Sequence, residues 1–76
     1  MDDFYFQGKQ IIVTVHAIKR AREKEVVYPD EVYMTLHTGK VKRFGKHGII
    51  FVGRTIICVG EDIGQVILIK TVERKN

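Results

Sequence analysis

The residues best suited to chemistry are His16, Arg20 and Lys24, which follow an apolar run at four-residue intervals. Residues four apart lie on one helix face, with about 5–6 Å between their Cβ atoms. A histidine can transfer a proton near neutral pH, and an arginine can hold a phosphate through two parallel hydrogen bonds. The spacing therefore predicts a helix face suited to phosphodiester chemistry.

The same segment also has a purely structural interpretation. A histidine at a strand–helix junction is often a capping or packing residue. Basic residues interspersed with Glu23 and Glu25 are typical of a solvated helix surface, on which Lys19 and Glu23 would form a stabilising pair. The residue types alone leave both interpretations open.

A second basic cluster lies beyond Gly39, on a predicted strand and the turn that follows it. Metal-free RNA cleavage needs a base for the 2′-hydroxyl, an acid for the leaving oxygen and cations around the phosphate. If this hairpin folds beside the first helix, its histidine supplies the second proton-transfer group. We therefore predict His16, Arg20 and His47 as catalytic residues. The residues predicted to contact nucleic acid are Lys24, Lys42, Arg43 and Lys46.

Composition narrows the class of protein. A chain of 76 residues makes one domain, which buries only about 60% of the surface of its unfolded form and favours a surface groove or a dimer seam over an enclosed cavity. The net charge of +4 favours anionic partners, of which nucleic acid is the commonest. Serine is absent while Lys, Glu, Ile and Val are abundant, a usage typical of heat-adapted organisms.

Several function classes are excluded or disfavoured. The single Cys58 cannot form an internal disulfide or a cysteine-based zinc site, and the three histidines lack zinc-ligand spacing, so we expect no metal and no cofactor. Cys58 itself is expected to be a small buried hydrophobe, because it lies in an apolar strand. No signal peptide or long apolar span is present, which predicts a cytoplasmic protein without a membrane partner.

Hydrophobic periodicity predicts an α+β fold in the order β-α-α-β-β-β-β, with an antiparallel sheet packed against two N-terminal helices. The first strand is residues 10–15, a helix begins at His16, and Pro29 opens a second helix that Gly39 ends. The remaining strands are 40–44, 48–52, 55–59 and 65–72. We expect a single domain over residues 10–73, an N-terminal extension over 1–9 and a polar tail over 74–76.

The connections and the aromatic residues add finer expectations. Gly53 and Arg54 predict a two-residue hairpin of the kind that takes glycine first. Glu61 and Asp62 lie between glycines and are expected to be solvated turn residues rather than a paired-carboxylate site. The aromatic side chains that could stack on bases are better explained as core residues, namely Tyr33, Phe44 and Phe51.

The element order and the first helix resemble those of a small family, domain-of-unknown-function family four-two-five-eight. This family is grouped with RelE/ParE-like and barnase/colicin-type ribonuclease folds. The resemblance covers roughly residues 11–73 and rests on short motifs around the two helices. The matching residues are His16, Ala17, Arg20, Lys24, Val26, Asp30, Glu31, Val32, Gly39 and Thr71. Lys24 is a departure, because the family favours arginine, whose planar fork lysine lacks.

The resemblance implies a RelE-like fold, RNA as a partner, and a toxin-like role that would bring an antitoxin-like protein partner. Two function classes follow. The first is a metal-independent ribonuclease or toxin-like RNA-interacting domain. The second is a non-catalytic module that binds nucleic acid or protein. A homodimer is a further expectation, because so small a sheet must cover an unpaired apolar edge.

Overall fold

Six strands and two helices follow one another in residues 4–75, the part of the chain that the computed structural model describes. Helix α1 is Val15–Glu23 and helix α2 is Asp30–Thr38. The strands are β1 (Phe4–Phe6), β2 (Lys9–Val13), β3 (Lys40–Phe44), β4 (Gly48–Val52), β5 (Ile56–Asp62) and β6 (Val66–Arg74). The predicted α+β class is confirmed.

The sheet is mixed, with strand order β1-β2-β6-β5-β4-β3. The prediction of an antiparallel sheet is wrong at one pairing, because β2 runs parallel to β6. It also lacked one strand, since β1 pairs with β2 and the sheet therefore begins at Phe4 rather than at Gln10. Strand β1 packs against the inner face through aromatic contacts. The ring of Phe4 stacks on that of Tyr33, with 5.4 Å between centroids, and the ring of Phe6 contacts that of Phe51 edge-on, at 5.3 Å.

Thr14 lies between the end of β2 and the start of α1. Its hydroxyl accepts a hydrogen bond from the Ala17 backbone N–H (3.2 Å), which caps α1, and donates one to the Ile69 carbonyl (2.8 Å) on β6. Because a capping residue must keep extended dihedrals while the chain turns helical after it, the strand ends at Val13 and not at residue 15 as predicted.

Alternation along each strand divides the sheet into two faces. The inner face carries the core and is covered by the helices; its fully buried strand residues are Ile49, Phe51, Ile56, Cys58, Ile67, Ile69 and Val72. Helix α1 adds Ala17 and Ala21, whose small side chains allow close approach, and α2 adds Val32 and Leu36. Cys58 is buried as expected, and burial raises the pKa of its thiol to about 12.

Helix α2 lies within one residue of its predicted bounds, and the sequence led us to expect a left-handed glycine at its end. Gly39 is extended (φ −69°, ψ 161°) rather than left-handed. A Cβ at this position would lie 2.5 Å from the Thr35 carbonyl oxygen and 2.9 Å from that of Val52. Glycine is therefore required by the close approach of α2 to β4 and not by backbone conformation.

Three expectations about turns and aromatics are wrong. The loop after β4 has three residues, Gly53 to Thr55, closed by the Gly53 N–H donating to the Ile56 carbonyl at 2.9 Å. Asp62 ends strand β5 and is only 8% exposed, rather than lying in a solvated turn. Phe44 is 50% exposed, because it lies on the edge strand β3 and its ring covers Gly48 instead of entering the core.

Thr14→Val should lower the free energy of unfolding by about 1 kcal/mol, since it removes the hydroxyl that caps α1 and holds β6 while keeping the side-chain shape. Thr38→Val is the matched control, because the Thr38 hydroxyl only donates back to the Met34 carbonyl on an exposed helix surface. Chemical denaturation of both variants measures the difference. Equal losses would show that the Thr14 hydroxyl has no special role.

Candidate functional site

Four polar side chains gather where α1 lies beside the end of β6, namely Arg20, Lys24, Thr71 and Glu73. His16 lies one turn before Arg20 on the same helix, and the five residues are named here the α1–β6 cluster. The Glu73 carboxylate is its centre. It accepts from the Arg20 guanidinium at 3.2 Å, from the Lys24 ammonium at 3.0 Å and from the Thr71 hydroxyl at 3.2 Å. Arg20, Lys24 and Glu73 are 38%, 35% and 37% exposed, so a ligand can reach all three.

The unequal lengths of the strands produce this arrangement. Strand β2 pairs with β6 only as far as Ile69, whereas β5 pairs with β6 as far as Arg74. The second half of β6 is therefore left without a strand on one side, and α1 lies there because Thr14 starts the helix at the level of Ile69. Arg74 completes the attachment by donating to the carbonyls of Lys24 (2.7 Å) and Glu25 (2.6 Å).

The electrostatics of the cluster keep Glu73 ionised. Hydrogen bonds from Lys24 first and Arg20 second, with a smaller contribution from Thr71, hold the pKa of Glu73 below its ordinary value against the opposing effect of burial. Arg20 also lies 3.5 Å from Glu23 on the same helix. The cluster thus offers two cations around a carboxylate that is charged throughout the neutral range.

His16 lies in the first turn of α1 and is exposed. It precedes Arg20 by four residues, so the two share a helix face, as the sequence predicted. A rise of 1.5 Å per residue separates their Cα atoms by about 6 Å along the axis. A phosphate bound at Arg20 would therefore lie beside the Glu73 carboxylate and one helical turn from His16.

Glu73 has no role in the sites predicted from the sequence, where it closes the domain beside the polar tail. Strand β6 in fact continues to Arg74. The period-two spacing of Thr71 and Glu73 was the available signal, since residues two apart on a strand point to the same face. That signal was weak, because no sequence feature says which strand α1 lies beside.

Arg43, which was predicted to contact nucleic acid, is 50% exposed and binds a carboxylate of the same chain. Its guanidinium bonds Asp62 at 2.8 Å from β3, and the Lys9 ammonium reaches the same carboxylate from β2, at 2.8 Å and 2.9 Å. The Gly64 backbone N–H donates a further bond at 3.0 Å. Lys9 and Arg43, together with this N–H, hold the pKa of Asp62 far below its ordinary value. Asp62 therefore binds β2 and β3 to β5 across the inner face.

The structure does not bring His47 beside His16. The turn that contains His47 joins β3 to β4, and its carbonyl accepts from the Asp62 backbone N–H at 2.8 Å. Helix α1 lies beside β6, and β5 separates β6 from β4. At about 4.8 Å per strand, β4 and β6 alone are roughly 10 Å apart. Lys46 is exposed in the same turn, and Lys42 is exposed on β3.

Comparison with protein-family models, curated proteins and solved structures found no match for this chain. Within residues 4–75, no three His, Cys, Asp or Glu side chains gather as metal ligands would. Neither α1 nor α2, at nine residues each, reaches the length that a helix needs to cross a membrane.

Asp62→Asn should destabilise the protein near neutral pH, because it leaves Lys9 and Arg43 without their shared counter-charge. A carboxyl whose pKa is lowered on folding contributes stability that is complete above its ordinary value of about 3.9 and is lost as the pH falls toward the lowered value. The difference in Tm between the parent and the variant should therefore be largest near pH 6 and shrink below about pH 4. Glu61→Gln is the control, because among the residues that the structure describes the Glu61 carboxylate forms its ion pair with exposed Lys70, on the outer face. A difference in Tm for Asp62→Asn that does not change between pH 6 and pH 3 would contradict the assignment.

Proposed function

We propose that this protein binds RNA at the α1–β6 cluster and cleaves it without a metal ion. The observation that carries the proposal is the Glu73 carboxylate held by Arg20 and Lys24, one helical turn from His16, on an accessible surface. Phosphodiester transfer needs a proton acceptor, a proton donor and cations that stabilise the charge developing on the phosphate. These side chains supply all three.

The roles of the residues follow from their charge. Ionised Glu73 accepts the proton of the 2′-hydroxyl as its oxygen forms a bond to phosphorus. Protonated His16 donates a proton to the 5′-oxygen as the bond between that oxygen and phosphorus breaks. Arg20 and Lys24 neutralise the non-bridging oxygens, and the products are a 2′,3′-cyclic phosphate and a free 5′-hydroxyl. The transferred protons and the bonds made and broken balance without any co-reactant.

Phosphate binding requires the ion pairs of Glu73 to be shared with the ligand. Because Arg20 and Lys24 are about one-third exposed, each can turn part of its donor set to a phosphate oxygen while still touching Glu73. The net charge of +4 supports attraction of a polyanion. The resemblance seen in the sequence implies a ribonuclease-like fold, and His16, Arg20 and Lys24 are among the residues that carry it.

A second candidate is a module that binds nucleic acid or protein without catalysis. The observation that favours it is that Arg20, Lys24 and Arg43 are all paired with carboxylates of the same chain. Such pairing is also what a structural ion-pair network provides. In this case Glu73 only attaches α1 to β6, and His16 is a solvated helix residue.

The cleavage assay should use purified protein, a single-stranded RNA of mixed sequence and excess chelator. We expect cleavage to persist in chelator, and His16→Ala and Glu73→Gln each to reduce the rate about 10²–10⁴-fold, the range of a lost proton-transfer group. Arg20→Lys should reduce the rate less than Arg20→Ala, because lysine keeps the charge but not the bidentate geometry. The products should carry 2′,3′-cyclic phosphates.

Two variants are the controls for this assay. Lys19→Ala removes a cation from the same helix outside the cluster, and His47→Ala removes the histidine at the far end of the sheet. Both should retain cleavage within about threefold, a change far below the loss of a catalytic group. Salt-sensitive RNA binding with no cleavage would favour the non-catalytic module. Cleavage by His16→Ala at the parental rate would reject the proposed chemistry.

A further inference from the structure

The sheet face opposite the core, here the outer face, has no helix packed on it within residues 4–75. Helix α2 packs against the inner face of β4 and β5, and α1 lies beside β6. The strands nevertheless present aliphatic side chains outward, as the alternation of buried and half-buried residues on β4, β5 and β6 shows. These outward aliphatic residues are Ile12, Ile50, Val52, Ile57, Val59, Val66 and Leu68. Solvated sheet faces ordinarily carry polar residues at such positions.

The pairing register arranges this face in rows that cross the sheet. One row is Glu73 on β6, Ile57 on β5, Val52 on β4 and Lys40 on β3, so it reads anion, apolar, apolar, cation. The next row has Thr71, Val59, Ile50 and Lys42 at the corresponding places. A third has Leu68, Glu61, Gly48 and Phe44.

These rows are complementary to themselves. A two-fold axis parallel to the strands, between β4 and β5, exchanges β6 with β3 and β5 with β4 while keeping each row at its own level. Lys40 of one copy then faces Glu73 of the other, Lys42 faces Thr71, and Phe44 faces Leu68. The aliphatic side chains of β4 and β5 meet in the centre. The symmetry is that of an isologous interface, in which each contact occurs twice.

The charges at the margins fit this arrangement. Lys40 is exposed and is bound to no carboxylate within the described residues, whereas Glu73 uses three of the roughly four acceptor positions of its carboxylate. Lys70 also lies on this face, but it brings its own counter-ion, since its ammonium is 2.6 Å from Glu61. Each copy therefore adds no unpaired charge to the centre.

Extension of the sheet through its β3 edge is disfavoured by the same residues. Strand β3 carries Lys40, Lys42 and Arg43, and lysines on an edge strand discourage pairing with another strand. The apolar surface on which the dimer proposal rests is thus the outer face, whereas the sequence led us to expect an apolar edge. Two sheets packed face to face with their strands within about 30° of each other form a common sandwich geometry.

We propose that the protein forms a two-fold symmetric dimer through the outer face, with Lys40 of each copy opposite Glu73 of the other. Helix α1 lies beyond β6, at the margin of this interface. His16, Arg20 and Lys24 stay accessible there, and the α1–β6 cluster lies at the seam between the copies. The dimer does not require catalysis, so the two proposals can fail separately.

Sedimentation of the full chain over a range of concentrations tests the proposal. The parent should be dimeric, and Ile57→Lys, which places a charge in the apolar centre twice per dimer, should be monomeric. Lys40→Glu should raise the dimer dissociation constant by about tenfold or more, because like charges then face each other in both copies of the row. Lys19→Glu, on the exposed surface of α1, is the charge-matched control and should leave the dissociation constant unchanged.

A mixing experiment tests the proposed pairing itself. Lys40→Glu and Glu73→Lys proteins should each dimerise poorly alone, since each places like charges opposite each other. Mixed in equal amounts they should form a heterodimer. The two introduced side chains, which are opposite in charge, then face each other across the interface, and the unchanged Lys40 and Glu73 face each other at the symmetry-related place. Circular dichroism checks that each variant is folded, which matters for Glu73→Lys because it also loses its contacts with Arg20 and Lys24.

Each contrary result has a definite meaning. A parent that sediments as a monomer at every concentration would overturn the dimer. So would a dimer that survives both Ile57→Lys and Lys40→Glu, since another surface would then hold the copies together. If Ile57→Lys instead abolishes RNA binding by a monomeric parent, the face binds RNA and not a second copy. RNA cleavage by the parent and by His16→Ala tests the proposed function separately, because His16 lies outside the rows that form the proposed interface.

Discussion

The position of Thr14 is the constraint on which the rest of the structure depends. Its hydroxyl both caps α1 and donates to the Ile69 carbonyl. Strand β2 therefore ends at the level of Ile69, and the second half of β6 has no pairing with β2. The helix then takes the place of a strand beside the second half of β6. Ala17 and Ala21 make that approach close enough for full burial. Without this conversion Arg20 and Lys24 would not reach Glu73, and the α1–β6 cluster would not exist.

Three carboxylates decide what the basic residues can do. Asp62 draws Lys9 and Arg43 across the inner face, Glu73 holds Arg20 and Lys24 at the edge, and Glu61 pairs with Lys70 on the outer face. The excess of positive charge in the composition is therefore not a uniform basic surface. It is divided between cations engaged by the fold and exposed cations, among them the lysines on β3 and its turn. Of the three carboxylates, only Glu73 combines two paired cations with accessibility and a histidine on the same helix as those cations, which is why the proposed chemistry centres on it.

The two faces of the sheet are occupied differently, and this difference links the two proposals. The inner face is closed by the helices and by the aromatic contacts of β1. The outer face keeps aliphatic residues between Glu73, which also pairs with Arg20 and Lys24, and the lysines of β3. A chain of 76 residues buries a smaller share of its surface on folding than a larger domain does. A second copy that covers the outer face would therefore add apolar burial that the single chain lacks. The α1–β6 cluster would then lie at the seam between the copies. A site at such a seam is what we expect of a small domain that has no room for a deep cavity.

The sequence by itself determined the α+β class, the extents of most elements and the shared helix face of His16 and Arg20, because periodicity and capping act over a few neighbouring residues. It also determined the burial of Cys58. Only the tertiary structure decided that β2 is parallel to β6, that β1 joins the sheet and that Asp62 is buried at the end of a strand. The partner of His16 and Arg20 followed from the same long-range pairing, which placed Glu73 beside α1 and left His47 beyond β5. Local patterns cannot specify such pairings, since residues 53 positions apart meet only through the register of the whole sheet.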